Sequence, residues 1–101
     1  MRMLLNVVIP HEPFNTAVRN GQAGATIAKI LEEIKPEAVY FTEQDGHRGA
    51  ILVVNVERPS QIPALAEPWF LSFNADCKFR VAISPEELEQ ADLEELGKRW
   101  A

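Results

Sequence analysis

The segment Ala50-Ile51-Leu52-Val53-Val54-Asn55-Val56 constrains this chain more than any other feature. It follows a hairpin turn and is apolar on both faces of a strand. A strand in a small antiparallel sheet ordinarily buries one face and wets the other. This strand needs a cover on each side, and the rest of the chain holds enough helix for one side only. A second copy of the chain is the simplest second cover.

The 101 residues are expected to form one domain, 1–101, large enough to fold alone and small enough to gain from association. Hydrophobic residues at 47% and charged residues at 25% argue against a disordered chain. With a net charge of −5 and scattered Lys and Arg, neither nucleic acid nor an anionic membrane is expected as a partner. Cys77 is the one cysteine, so no intrachain disulfide can form; this fits a reducing, cytoplasmic setting. The apolar run at Met1–Ile9 is short, Asn6 interrupts it, and no small-residue cleavage site follows. It reads as a first strand rather than a signal peptide. No run approaches the roughly 18 to 20 apolar residues of a membrane helix.

Along the chain, Met3 to Ile9 forms a strand that Pro10 stops. Pro13 to Ile34 is mostly helical, with Ile27, Ile30, Leu31 and Ile34 as its apolar stripe and a kink or break at Asn20-Gly21 and Gly24. Ala38 to Glu43 is a second strand, Gln44 to Gly49 a turn around Asp45-Gly46, and the third strand runs to about Val56. Ser60 caps a helix whose inner face is Ile62, Leu65, Ala66, Trp69 and Phe73, bent at Pro68. Cys77 to Ile83 is a fourth strand. Ser84-Pro85-Glu86-Glu87 is a capping box that opens a C-terminal helix to about Trp100, with an irregular apolar face suited to the surface or to a partner. The order β-α-β-β-α-β-α is the split βαβ pattern of a ferredoxin-like α+β domain. Its antiparallel sheet has strand order 4-1-3-2, helices on one face and an extra C-terminal helix.

Strand parity assigns each side chain to a face. One set, Leu5, Val7, Ile9, Val39, Phe41, Ala50, Leu52, Val54, Val56, Cys77, Phe79, Val81 and Ile83, is wholly apolar and should pack under the helices. The opposite set is mixed. Leu4, Val8, Ile51 and Val53 cluster on its two central strands, and burying each fully is worth roughly 1.5–3 kcal/mol. An exposed patch of this kind marks an interface, here the expected homodimer interface.

On these grounds the chain resembles the dimeric α/β-barrel superfamily over nearly its whole length. It looks closest to small bacterial members whose core runs hairpin, "ILVV" strand, helix with an aromatic pair (Trp69-Phe70) and last strand. The resemblance implies two ferredoxin-like protomers with their open sheet faces together. The superfamily includes cofactor-independent monooxygenases, small-molecule isomerases and dehalogenases, haem-degrading enzymes and members of no assigned activity. Fold alone does not choose among them.

The candidate chemistry is sparse. His47, beside Asp45 and Arg48, reads either as a general base at a cavity mouth or, more simply, as a solvated turn residue. His11-Glu12 lacks partners at ligand spacing, so no metal is expected and nothing marks a haem ligand. Cys77 falls on the apolar face, where a cysteine is an inert small hydrophobe. No nucleotide fingerprint or phosphate loop is present, and no cofactor is implied.

The better constellation is Asn6, Tyr40, Asn55 and Arg80, all on the open face. Tyr40 would donate a hydrogen bond, Arg80 would hold an anionic group, and Trp69 would stack from the other side of the sheet. The expected function is binding of a small aromatic or carboxylated molecule, with or without cofactor-free catalysis. The alternative is a non-catalytic interaction or sensor domain whose open face serves only dimer assembly.

Overall fold

The computed structural model describes residues 1–101. β1 (Arg2–Ile9) is followed by α1 (His11–Arg19) and α2 (Ala23–Ile34), then by the hairpin β2 (Ala38–Gln44) and β3 (His47–Asn55). A short 3-10 turn, Pro59–Gln61, leads into α3 (Ile62–Phe73), then β4 (Asp76–Val81), α4 (Pro85–Gln90) and α5 (Leu93–Arg99). The four strands form one antiparallel sheet in the order β2-β3-β1-β4. Read from the other edge this is 4-1-3-2, the ferredoxin-like α+β arrangement. No helix is long and apolar enough to cross a membrane.

Local chemistry explains most element ends. Asp45 (φ 51°) and Gly46 (φ 80°) both adopt left-handed backbone, as a two-residue hairpin turn demands, so the strands run closer to the turn than composition suggests. The helical stretch breaks at Asn20–Gln22, where Gly21 has φ 77°. Left-handed Lys35 and Asn74 close α2 and α3. Ser60 does not cap α3. It lies inside the 3-10 turn, and the Gln61 side chain accepts from the Glu57 and Arg58 amides at 2.7 and 3.1 Å. α3 runs on through Pro68, whose missing N–H removes one helical hydrogen bond.

The core lies between the sheet and α1, α2 and α3. Leu5, Val7, Ile9, Leu52, Val54, Val56, Trp69 and Phe73 are buried, joined by Phe14 of α1 and Ile30 of α2. Phe14 packs on Phe73 at 4.9 Å between ring centroids, and the Arg48 guanidinium lies 4.6 Å over the Phe14 ring. The helices do not cover the whole apolar set. Phe41 is 54% exposed, and Val81 and Ile83 are exposed too: the helices partly cover Val39, Cys77 and Phe79 of the edge strands but do not reach Phe41 or the end of β4.

The C-terminal segment is two short helices rather than one. Asp92, at φ 54°, breaks them apart, and its side chain caps α5 by accepting from the Glu95 amide at 3.3 Å. Neither helix holds a buried residue. The radius of gyration is 17.1 Å, with extents of 60 × 28 × 19 Å. A compact chain of this size has a radius near 13 Å.

Candidate functional site

The core fills the helix-facing side over the central strands, and the polar side chains that cluster do so on the open sheet face and at the rim of the sheet. Strand register orders the open face into rows. Leu4 lies between Val53 and Arg80, Asn6 between Ile51 and Lys78, and Val8 between Gly49 and Asp76. On the β2 side, Tyr40 pairs with Ile51 and Thr42 with Gly49. Leu4, Val8, Ile51 and Val53 are therefore neighbours on the central strands, and all four are at least partly exposed.

Gly49 shapes this face. A Cβ there would lie 3.3 Å from the Val7 carbonyl oxygen and 3.7 Å from the Gln44 Cβ. The vacant side-chain position lets Gln44 reach across β3, so that Asn6 Nδ2 donates to Gln44 Oε1 at 2.8 Å. The bridge holds two amides in one place and leaves Asn6 Oδ1 and Gln44 Nε2 as a free acceptor and donor. Asn6, Gln44, Lys78, Phe79 and Arg80 line a solvent-open concavity of about 630 Å³. Lys78 and Arg80 take part in neither of the chain's ion pairs, which join Arg2 to Glu37 at 2.9 Å and Arg19 to Glu12 at 3.5 Å. Two unneutralised cations beside an amide pair suit an anionic group with further hydrogen-bonding oxygens.

The expected site residues divide. Asn6 and Arg80 come together. Tyr40, 69% exposed, stands on β2 at the opposite edge from Arg80 on β4. Three strand spacings put those backbones roughly 14 Å apart. Asn55 is two rows from Asn6, and its Oδ1 accepts from the Met1 amine at 3.1 Å. His47 is at the turn end of the sheet, stacked on His11 at 4.8 Å and 26°, with Nδ1 3.2 Å from the Asp45 carbonyl oxygen. It shares a small concavity with Val8, Pro10, Asn74 and Asp76. Trp69 is 0% exposed, locked in the core beneath α3, and offers no surface for stacking. Its indole Nε1 is buried without a partner.

Gln44 and Lys78 join the group without having been singled out from the sequence. Lys78 lies between Cys77 and Phe79 on β4, and that alternation puts it on the open face. The sequence puts Gln44 in the turn, but the turn is only Asp45-Gly46, which makes Gln44 the last residue of β2.

The remaining reactive groups are quiet. Cys77 is half-buried against α3, with Sγ 4.0 Å from the Ala66 carbonyl oxygen. Burial first, then the charge of Asp76, pushes its thiol up to about 11, so it stays protonated. The Glu12 carboxyl is held below its usual range, chiefly by the Thr16 hydroxyl, which donates to it at 2.7 Å. No group of three or more His, Cys, Asp or Glu side chains is placed to hold a metal ion.

No family model matches this chain, and no curated protein matches its sequence. Among solved structures it is similar to the 5-chloro-2-hydroxyhydroquinone dehydrochlorinase TftG from Burkholderia phenoliruptrix AC1100, in complex with 2,5-dihydroxybenzoquinone. The TM-score is 0.58 at 17% identity, over 86% of this chain and 98% of that one. At that identity the likeness is one of fold.

Proposed function

We propose that this chain is a small-molecule-binding protein of the dimeric α/β-barrel type, taking an aromatic or carboxylated compound on its open sheet face. One observation carries the reading. The Asn6–Gln44 bridge and the unpaired Lys78 and Arg80 form a polar group beside the aliphatic Leu4, Val8, Ile51 and Val53. A flat ligand would lay its ring on the aliphatic side chains, its anionic oxygen on Arg80 and Lys78, and its hydroxyls on the free amide atoms.

In this reading two copies appose their open faces over Leu4, Val8, Ile51 and Val53. Tyr40 and Asn55, too far from Arg80 in one protomer, then line the same enclosed space from other directions. The TftG complex with a dihydroxybenzoquinone supports the ligand class at the level of shared fold. The Asn6–Arg80 concavity holds no carboxylate or imidazole among its lining residues, which favours binding over acid–base catalysis there.

Calorimetric titration with hydroxylated benzoates and benzoquinones tests this, alongside native mass spectrometry for co-purifying ligand. Arg80→Ala is expected to weaken binding at least about tenfold and leave the dimer intact. A dimer that falls apart on that substitution, with no ligand bound by the parent chain, would assign the face to assembly alone.

A further inference from the structure

We propose that the hairpin rim is a second ligand site, where His11, His47 and Arg48 hold the oxyanion head of a carboxylate or phosphate ester. The anion binds there together with a proton. The site shares no lining residue with the Asn6–Arg80 concavity, and it does not depend on the dimer reading. It is an open concavity of about 530 Å³ at the turn end of the sheet, with His11, Phe41, Glu43, His47 and Arg48 in its walls.

Separate pieces of chain converge on it. Pro10 ends β1 and puts His11 at the start of α1, while the Asp45-Gly46 turn puts His47 at the start of β3. The two imidazoles stack at 4.8 Å between centroids and 26° between planes. The Asp45 carbonyl oxygen, 3.2 Å from His47 Nδ1, can only accept. A neutral His47 ring therefore keeps its proton on Nδ1 and has a lone pair at Nε2; a protonated ring donates from Nε2. The Arg48 guanidinium is already fixed. It lies 4.6 Å over the Phe14 ring, and its Nη1 donates to Asn15 Oδ1 at 2.7 Å, which leaves Nε and Nη2 for a ligand. A cation held on two sides loses little freedom when an anion arrives.

The surrounding charges leave these groups available. Arg48 and both histidines take part in neither ion pair of the chain. On the hairpin, Glu43 Oε2 accepts from the Gly46 amide at 2.7 Å, and Asp45 lies in the turn itself. On α1, Glu12 is engaged by the Thr16 hydroxyl at 2.7 Å and by Arg19 at 3.5 Å. On β4, Asp76 lines a smaller concavity with His47. Two imidazoliums as close as this pair repel, and an anion laid against them offsets that repulsion. Protonation also turns His47 Nε2 from an acceptor into a donor toward the anion. Proton and anion thus favour each other's binding. Phe41, 54% exposed, supplies an apolar wall for the body of the ligand.

His11 and His47 are the chain's only histidines, so their ring Cε1–H resonances report this site. Sodium sulfate and sodium benzoate, which both keep their charge near neutral pH, are titrated into the full chain at fixed ionic strength. At least one is expected to move both ring signals along a single saturable isotherm, at least about threefold tighter at pH 6 than at pH 8. His47→Gln and Arg48→Gln are each expected to weaken that binding at least about fivefold. If Arg48→Gln does not fold, Arg48→Lys takes its place; it keeps the charge without the planar fork and is expected to lose at least about twofold. Preference for sulfate identifies a phosphate-ester head, and preference for benzoate a carboxylate beside the Phe41 ring.

Ring signals that drift linearly with both salts overturn the site, as does an affinity equal at the two pH values or unchanged in the variants. Saturable shifts confined to the Lys78 and Arg80 amides, with both ring signals still, also overturn it. Anion binding then belongs to the open face alone.

Discussion

At the scale of single residues, environment decides which reactive groups are available. Cys77 sits on the helix-facing side of an edge strand, where burial and Asp76 both disfavour its thiolate. A thiol raised to about 11 holds roughly a hundredfold less thiolate at neutral pH than an ordinary one. Alkylation by iodoacetamide at pH 8 is therefore expected to be slower than that of free cysteine by about that factor or more. A rate near that of the free thiol would mean that α3 opens readily from β4. Trp69 is the contrasting case. Its ring fills the centre of the core although its N–H finds no acceptor, so packing outweighs a penalty of about 1–3 kcal/mol. The sequence marked Trp69 as aromatic and near a bent helix, but nothing local distinguishes a tryptophan that stacks on a ligand from one that fills a core.

At the scale of elements, capping chemistry sets the ends of the C-terminal helices. The Glu87 carboxyl is held below its usual range, first by the Ser84 amide that donates to it and then by the Ser84 hydroxyl. Its ionised form is thus favoured in the folded C-terminal segment. The contribution is complete above the ordinary carboxylate range and is lost as pH falls through the depressed folded value. The start of α4 is expected to fray below roughly pH 4, seen as loss of helical chemical shifts over residues 86–90. Glu87→Gln, which keeps a capping side chain without the charge, should flatten that pH dependence; an unchanged profile would place the transition elsewhere.

The capping box was legible in Ser84-Pro85-Glu86-Glu87, and strand parity assigned the faces that the register bears out at Leu5–Leu52 and Asn6–Ile51. The break at Asp92 was not legible, because a left-handed aspartate inside a helical run has no strong local signature. The Asn6–Gln44 bridge was hidden for a different reason. It joins residues 38 positions apart and depends on Gly49 lying between them in register, which periodicity alone does not reveal.

At the scale of the whole molecule, the helices close the sheet over its central strands and the other side is half aliphatic. In the proposed dimer, burying Leu4, Val8, Ile51 and Val53 against a second copy would supply about 1.5–3 kcal/mol per side chain before the costs of association. A lysine placed among them puts a charge in that contact. Leu4→Lys and Val53→Lys are each expected to weaken self-association by roughly a hundredfold, measured by sedimentation, while the circular dichroism of the monomer is retained. A variant that remains dimeric at the parent's affinity would move the interface off this face.

The sheet is also open along both edges. The β4 edge carries Lys78 and Arg80, charges that discourage another strand from adding. The β2 edge has no such guard over Ala38-Val39-Tyr40-Phe41-Thr42, five uncharged residues rich in β-formers and free of proline. An edge of that composition is a template for misassembly whenever it stands uncovered. If two copies pair as proposed, cover over β2 would protect the chain from fibrillar growth, and solubility during synthesis would depend on how quickly protomers find each other.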